Sequence, residues 1–161
     1  MGQIEDRLAE RDLELPRVFA APPGVEFKFA LVRIAGASGY VSGHGPLDGS
    51  NVLLKGKVGA EVTPEQGYEA ARLTALSIFA SLKQALGELD RVSRWVKALG
   101  LVNCAPGFSA TPGVVNGFSD LVLDLWGPEA GAHSRSAIGV AELPFDMPVE
   151  VEAIVEIKES V

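Results

Sequence analysis

Residues 63–90, TPEQGYEAARLTALSIFASLKQALGELD, predict one long helix with a signal at each end. Thr63 is a favourable N-cap, Pro64 occupies the first helical position, and Gln66 completes a capping box. Gly87 is expected to end the helix. An apolar stripe follows one side and comprises Leu73, Leu76, Ile78, Phe79, Ala80, Leu82 and Leu86. Such a stripe has to be buried, so the chain needs a sheet or a second helix to cover it.

Strand patterns flank this helix on both sides. Residues 27–35, FKFALVRIA, alternate as a strand does, GASG turns the chain, and YVSGHGPLDG returns as the other half of a hairpin. NVLLKGKVGAEV contains a short strand, and VSRWVKALGLVNCA predicts another after the helix. Thr111 and Pro112 then repeat the helix-start signal. Apolar residues follow at helical spacing, namely Val115, Phe118, Val122 and Leu125.

The end of the chain predicts two more strands. Residues 133–157, HSRSAIGVAELPFDMPVEVEAIVEI, have the pattern of a closing hairpin, and residues 3–13 that of a short amphipathic helix ended by Pro16. The resulting order predicts an α+β fold in which one mixed sheet carries both long helices on one face. The 161 residues fit a single domain over 1–161, with 1–24 as N-terminal helix and connector.

The other face of that sheet has no predicted cover within the chain. Alternation in residues 149–157 sends five apolar residues to one side, namely Val149, Val151, Ala153, Val155 and Ile157. It sends three glutamates and Ile154 to the other side. Apolar residues on a bare sheet face need a partner surface. We therefore expect sheets from several subunits to pack together.

Composition and charge limit the classes of function. The chain carries 14 basic and 21 acidic residues, a net charge of −7, without a run of Lys and Arg, which argues against nucleic-acid binding. No apolar run approaches the roughly 18–20 residues of a membrane span. Cys104, the one cysteine, fits a reducing cytoplasm, and its apolar surroundings favour a buried thiol. Two distant histidines predict no metal site.

Arg135 and Glu150 are the strand residues that we consider first as candidate site residues. Arg135 shares its strand face with Ala137, Gly139 and Ala141, which leaves room beside a guanidinium that can bind a carboxylate bidentately. The alternative is a salt bridge to one of the acids. Glutamates in an alternating strand usually face solvent, and a regular hairpin would place Glu150 near its turn, away from Arg135. A site that uses both residues then requires a subunit boundary or a bend in the sheet.

His44 lies in SGHGP, where glycines allow the backbone to approach a ligand closely. A lone histidine in a loop most often has no ligand role, and both interpretations stay open. The stretch GASGYVSGHG lacks the pattern GxxxxGK[ST] and no helix follows it directly, so a phosphate-binding loop is excluded. The chain also has no GxSxG motif, which argues against a serine hydrolase.

Several of these stretches together resemble the YjgF/Rid family. They are YVSGHGPLDG, the Thr-Pro helix start, VVNGFSDLVLDLWG and SRSAIGVAELPFDMPVEVEAI. The resemblance runs from about residue 27 to residue 157. The opening IEDRLAERDLELP resembles the longer bacterial branch, often labelled endoribonuclease-like or translation-inhibitor-like. The resemblance implies a chorismate-mutase-like fold, a homotrimer with a central barrel of packed sheets, and ligand pockets between subunits. It also implies hydrolysis of reactive enamines and imines of amino acids to 2-oxo acids and ammonia.

The resemblance assigns roles to particular residues of this chain. Arg135 matches the arginine that holds the substrate carboxylate, and Glu150 matches the glutamate that positions or activates water. Gly43 matches a glycine whose backbone lines the pocket, and Asn116 matches the asparagine of the second long helix. No metal and no organic cofactor is implied, and the partners expected are a small carboxylate and two further copies of the chain.

Four positions depart from the family pattern. Phe29 replaces the pocket tyrosine, Ala137 replaces the cysteine two residues after the arginine, and Gly139 replaces an acid. His44 stands where glutamine usually follows Ser-Gly. Phe29, His44 and Ala137 remain candidate ligand-binding residues, and the backbone carbonyl of Ala137 can still serve.

Three functions follow as hypotheses. The first is hydrolytic deamination of 2-imino or enamine acids by Arg135 and Glu150. The second, favoured by the departures, is a trimeric protein that binds a small carboxylate metabolite without turnover. The third is an endoribonuclease, which only the label on similar sequences supports, because the chain is acidic and lacks a paired-histidine or His–Lys arrangement.

Overall fold

The structure of the protein, a computed structural model, describes residues 2–158. In chain order the strands are β1 (Val32–Ala35), β2 (Ser38–His44), β3 (Leu47–Asp48), β4 (Asn51–Val52), β5 (Val92–Asn103), β6 (Ser134–Val140) and β7 (Val149–Ile157). The helices are α1 (Gln3–Ala9), α2 (Pro64–Leu86) and α3 (Thr111–Ala130). The predicted α+β class is confirmed.

Five of the strands form one mixed sheet in the order β1-β2-β7-β5-β6. Neighbouring strands are antiparallel except β5 and β6, which are parallel. β3 and β4 form a separate two-stranded sheet. Strands β1 and β6 are the edges of the five-stranded sheet, and β2, β7 and β5 lie between them.

Both long helices cover one face of this sheet, as predicted. Helix α2 packs on β7 and helix α3 on β5 and β6, and the two helices pack on each other. The core between helices and sheet is aromatic, because Trp95 of β5 contacts Phe79, Phe118 and Trp126 at ring-centroid distances of 5.8, 5.6 and 5.3 Å. This core fixes α3 relative to β6, which positions the candidate site described below.

The start of α2 follows the sequence signals. The Thr63 hydroxyl accepts a hydrogen bond from the Gln66 backbone N–H (3.1 Å), and the Thr63 N–H donates to Gln66 Oε1 (2.9 Å). Gly87 ends the helix at a φ of 88°, which only glycine adopts easily. The start of α3 differs from expectation: Ala110 is the N-cap, and the Thr111 hydroxyl donates to the carbonyl of Ala137 on β6 (3.0 Å) instead of capping the helix.

The predicted closing hairpin of residues 133–157 is wrong. Strands β6 and β7 run in opposite directions, but β5 lies between them and pairs with both. The 12-residue β5 is the longest strand, and its buried residues suit an interior position between β7 and β6. The turn at 141–148 therefore crosses the end of β5, where Asn103 N–H donates to Pro148 O (2.9 Å).

Two other predicted elements are shorter than expected. Helix α1 ends at Ala9, and Asp12, with a φ of 53°, turns the chain before the predicted end at residue 13. Residues 27–31 are not strand, and the ring of Phe27 lies 4.8 and 4.9 Å from the rings of Phe19 and Phe29. Only Val32–Ala35 keeps strand pairing.

The second face of the sheet is uncovered within the described residues. Its centre is a concave region of about 440 Å³, lined among others by Arg33, Tyr40, Leu99 and Ile154. Tyr40 and, further toward the β6 edge, Ile138 are 47% and 48% exposed. This open face, defined by the side chains of the five strands that point away from the helices, matches the bare face predicted from the sequence.

Candidate functional site

Arg135 projects from the edge strand β6 toward α3, not toward the open face. Its Nη1 donates to Asn116 Oδ1 and to Ser119 Oγ, both at 2.9 Å, and its Nη2 donates to the carbonyl of Pro112 at 3.3 Å. These three acceptors lie at positions i, i+4 and i+7 of α3, which is one face of the helix. Arg135, Asn116, Ser119 and His133 are called the arginine cluster.

The guanidinium of Arg135 keeps two donors for a ligand. Arginine carries five N–H donors, three of which are used by α3, so Nε–H and one N–H on Nη2 remain. Those two donors are the fork that binds a carboxylate bidentately. Within residues 2–158 Arg135 forms no ion pair with an acid, so the salt-bridge alternative finds no partner there.

His133 completes the arginine cluster from the loop between α3 and β6. Its Nδ1 lies 2.7 Å from the carbonyl of Gly131, and its Nε2 lies 2.9 Å from Ser119 Oγ. Burial lowers the pKa of His133, and the positive charge of Arg135 lowers it further. The cluster lines a shallow depression of about 260 Å³.

Ala137 lies beside the arginine cluster on β6. Its carbonyl, which was expected to be free for a ligand, accepts the hydrogen bond from the Thr111 hydroxyl. A carbonyl oxygen has a second lone pair, so this bond leaves one acceptor site. Ala137 thereby ties the start of α3 to the strand that carries Arg135.

Glu150 and Gly43 meet at another part of the chain, which we call the glutamate cluster. Glu150 alternates with the buried Val149 and Val151, so its side chain lies on the open face of the sheet. A Cβ placed on Gly43 would lie 2.8 Å from the Glu150 carboxyl carbon. Any other residue at position 43 would displace the carboxylate, which gives Gly43 a steric reason to be glycine.

The carboxyl group of Glu150 is half-buried and forms no ion pair with the described residues. Burial raises its pKa, and the charge of Glu152 raises it further. A carboxyl group with a raised pKa in an accessible position is suited to exchange protons with a substrate or a water molecule.

His44 and Phe29 have different placements near the glutamate cluster. The ring of His44 is fully buried; Nδ1 lies 2.7 Å from the Ser42 carbonyl and Nε2 2.8 Å from Ser81 Oγ. Because both ring nitrogens are used in the core, this placement argues against the predicted ligand-binding role of His44. Phe29 is 53% exposed and stacks on Phe27, so its ring can contact a ligand or another subunit.

The two clusters are far apart within one chain. On β5, Arg135 pairs with Ala98 and Glu150 with Leu101, from opposite sides. The separation is about 10 Å along the strand and about 10 Å across it, and the two side chains lie on opposite faces of the sheet. One small ligand cannot contact both residues in the same chain.

Sequence reasoning missed Ser119 and gave His133 no role. A signal existed for Ser119, because its spacing from Pro112 and Asn116 places all three on one helix face. His133 offered no such signal, since its contact with Ser119 depends on the return of the chain after α3.

The described residues contain no group of three or more His, Cys, Asp or Glu side chains arranged to hold a metal ion. Within the same range, no helix is long and apolar enough to cross a membrane.

The fold and the sequence of nearly the whole chain agree with one family. The family model described as "YjgF/chorismate mutase-like, putative endoribonuclease" matches residues 5–157, and the chain belongs to this family.

Relatives of the whole chain carry little functional description. "Protein TCP17" of Trypanosoma cruzi is 39% identical over 156 residues, which cover 97% of this chain and 95% of that protein. A crystal structure of a protein of unknown function from Agrobacterium tumefaciens is 37% identical with a TM-score of 0.85, covering 96% of this chain and 92% of that one. A "putative endoribonuclease" from Shewanella oneidensis is 35% identical with a TM-score of 0.87, covering 97% and 100%.

Proposed function

We propose that the protein hydrolyses reactive 2-imino and enamine acids to 2-oxo acids and ammonia, in a cleft between subunits of a homotrimer. The observation that carries this proposal is Arg135, a guanidinium with no acid partner among the described residues, oriented by three acceptors of α3 and left with two donors. Such a group is suited to hold a small organic anion in one orientation.

The reaction needs little beyond orientation. An imine carbon is electrophilic, so water adds to it, the C–N bond breaks, and the oxygen of that water becomes the carbonyl of the 2-oxo acid. The nitrogen leaves as ammonia. Arg135 holds the carboxylate, which fixes the carbon in front of the water. This chemistry calls for no metal and no organic cofactor.

Glu150 is the proposed water-handling group. Its raised pKa favours the protonated form more than in an ordinary glutamate, so the carboxyl group can both deliver and take up a proton. The hydrolysis transfers both protons of the water molecule to the imine nitrogen, which leaves as ammonia, and a carboxyl group can relay each of them. An enamine first takes up one proton at carbon and loses one from nitrogen, which gives the imine. The backbone at Gly43, in contact with Glu150, lines the same end of the cleft.

A subunit boundary is required for this assignment. Arg135 and Glu150 cannot meet in one chain, whereas the β6 edge of one subunit placed against the glutamate cluster of the next would join them. The open face, with exposed Tyr40 and Ile138, supplies an apolar surface that association would cover. A closed ring of three would satisfy both requirements with one repeated contact.

The test is ammonia release from an imine generated in the same vessel by an amino-acid oxidase. Wild-type protein should accelerate the release, and Arg135→Ala should abolish the acceleration, with a fall of at least about 100-fold because substrate orientation is lost. Arg72→Ala is the matched control, since Arg72 forms a surface pair with Glu69 on α2. Equal acceleration by wild type and Arg135→Ala would refute the assignment.

A non-catalytic role is the second candidate, because Phe29 offers no hydroxyl where the family pattern has tyrosine. In this case the cleft holds a 2-oxo acid without turnover. Calorimetric titration of 2-oxobutyrate beside the kinetic assay separates the two: binding without ammonia release supports the second candidate.

RNA cleavage is the function named for some relatives. The net charge of −7 opposes the approach of the RNA phosphates, and the sequence has no run of Lys and Arg. Cleavage of RNA that survives further purification and weakens with salt would favour this function instead.

A further inference from the structure

The hydrogen bonds of the arginine cluster have a fixed direction. The Gly131 carbonyl can only accept, so Nδ1 of His133 carries a proton (2.7 Å). In a neutral imidazole Nε2 then accepts, and the Ser119 hydroxyl must donate to it (2.9 Å). Arg135 can only donate, so it uses a lone pair of Ser119 Oγ (2.9 Å). Donation therefore runs from Arg135 through Ser119 and His133 to Gly131.

The direction of these hydrogen bonds matters because the Ser119 hydroxyl has one proton and donates it to His133. The oxygen lone pair is thereby held toward Nη1 of Arg135. The second acceptor of Nη1, Asn116 Oδ1, fixes the guanidinium plane together with Ser119. The two remaining donors of Arg135 are thus aimed before a ligand arrives, which reduces the ordering that binding requires.

Arg135 is the charged group that acts on His133. From α3, the ring of Phe118 packs edge-on against the imidazole at 5.7 Å, and Ser119 hydrogen-bonds to it; neither carries charge. From β6, the guanidinium of Arg135 disfavours a proton on His133.

Two acids in the middle of α3 are engaged away from His133. Asp120 accepts a hydrogen bond from the Tyr68 hydroxyl of α2 (2.8 Å). Asp124 forms an ion pair with Arg11 (2.5 Å). Both acids are paired elsewhere, and Arg135 is the charged group that lowers the pKa of His133, in addition to burial.

We propose that Ser119 and His133 are positioning residues for Arg135, and that His133 takes up a proton more readily when a small carboxylate pairs with the guanidinium. This inference rests on the proposed function, because it requires Arg135 to be the carboxylate anchor. An anion on Arg135 offsets the positive charge that now opposes protonation of His133. By reciprocity, a protonated His133 favours the bound anion.

An NMR titration of the two histidines tests this inference, and His44 serves as the internal control for His133. In protein labelled with ¹³C-histidine, an NMR titration against pH gives the pKa of His133 and of His44 separately, with and without saturating 2-oxobutyrate. We expect 2-oxobutyrate to raise the pKa of His133 in the wild type. The signal of His44, buried away from any charged partner, should not change.

Variants assign the effect to the cluster. Arg135→Gln should raise the pKa of His133 without ligand and abolish its response to 2-oxobutyrate. Ser119→Ala should raise KM about three- to tenfold with kcat retained, since one orienting hydrogen bond is lost. Ser119→Thr keeps the hydroxyl and should keep KM near the wild-type value.

The outcomes separate this inference from the proposed function. If calorimetry shows that 2-oxobutyrate binds and the pKa of His133 does not move, or if Ser119→Ala leaves KM unchanged, the positioning role is wrong while the function stands. If no 2-oxo acid binds and Arg135→Ala hydrolyses imines as fast as wild type, both are wrong. The wild-type NMR titration needs no variant to fold.

Discussion

The surroundings of Glu150 disfavour the ionised form of its carboxyl group. Half-buried and without a cation beside it among the described residues, it has a pKa raised by burial and by Glu152. A folded state that binds a proton more tightly than the unfolded state is destabilised as pH rises through that range. A carboxyl group that holds its proton more tightly can supply that proton to a substrate, which is the role that the proposed hydrolysis gives to Glu150.

Replacement of Glu150 by glutamine should therefore separate stability from activity. The unfavourable contribution of Glu150 appears above the ordinary glutamate pKa of 4.5 and is complete above the raised value. Glu150→Gln should have a higher free energy of unfolding than wild type at pH 8 and a similar one at pH 4, measured by urea denaturation. Its rate of ammonia release should fall by about 100-fold or more, the usual contribution of a general acid or base.

Glu152→Gln is the control for activity, since Glu152 is exposed on the same strand face two residues away. It should retain most of the ammonia release. A Glu150→Gln variant as active as wild type would remove Glu150 from the proposed mechanism.

At the scale of elements, local sequence signals predicted individual helices and strands better than they predicted which strands lie next to each other. The capping box at Thr63 and the stop at Gly87 depend on contacts within a few residues, so the sequence reveals them. The opposite directions of β6 and β7 were predicted, but the insertion of β5 between them was not. Strand order depends on which apolar faces pack on the helices, and this information is spread over the whole chain.

The candidate site shows the same division. Arg135, Glu150 and Gly43 were predicted as site residues from motifs. The hydrogen bonds that join Arg135 to Ser119 and Ser119 to His133 could not be predicted, because they depend on how α3 packs against β6. The burial of His44 could likewise not be predicted from its glycine-rich stretch, because it depends on contact with helix α2, where Ser81 hydrogen-bonds to the imidazole.

The contact between α2 and α3 supplies a prediction of its own. A Cβ placed on Gly117 would lie 1.9 Å from the backbone carbonyl oxygen of Tyr68, so the two helices can approach only because position 117 is glycine. Gly117→Ala should push the helices apart and cost roughly 1–3 kcal/mol in the free energy of unfolding.

Gly113, one turn earlier on α3, is the matched control. Nothing lies within 4 Å of a Cβ placed there. Gly113→Ala should stabilise the protein by about 0.4–1 kcal/mol, because alanine reduces the freedom of the unfolded chain. Thermal and urea denaturation of both variants check the pair, and equal effects at the two positions would contradict the described helix packing.

At the scale of the whole molecule, the chain carries two separate groups of candidate site residues, and the proposed function joins them in one site between subunits. The arginine cluster lies at the β6 edge and the glutamate cluster on the open face between β2 and β7. The uncovered face and the separated clusters are explained together if copies of the chain associate. The central claim is therefore that Arg135 of one subunit and Glu150 of another act on the same substrate.

Complementation between two inactive variants tests this claim most directly. Arg135→Ala and Glu150→Gln are purified separately, unfolded, mixed in equal amounts and refolded together, with each variant refolded alone as control. In randomly mixed trimers about one quarter of the interfaces regain both intact side chains, so we predict about one quarter of the wild-type ammonia release. A mixture as inactive as its separate components, with mixed trimers verified by native mass spectrometry, would contradict the account.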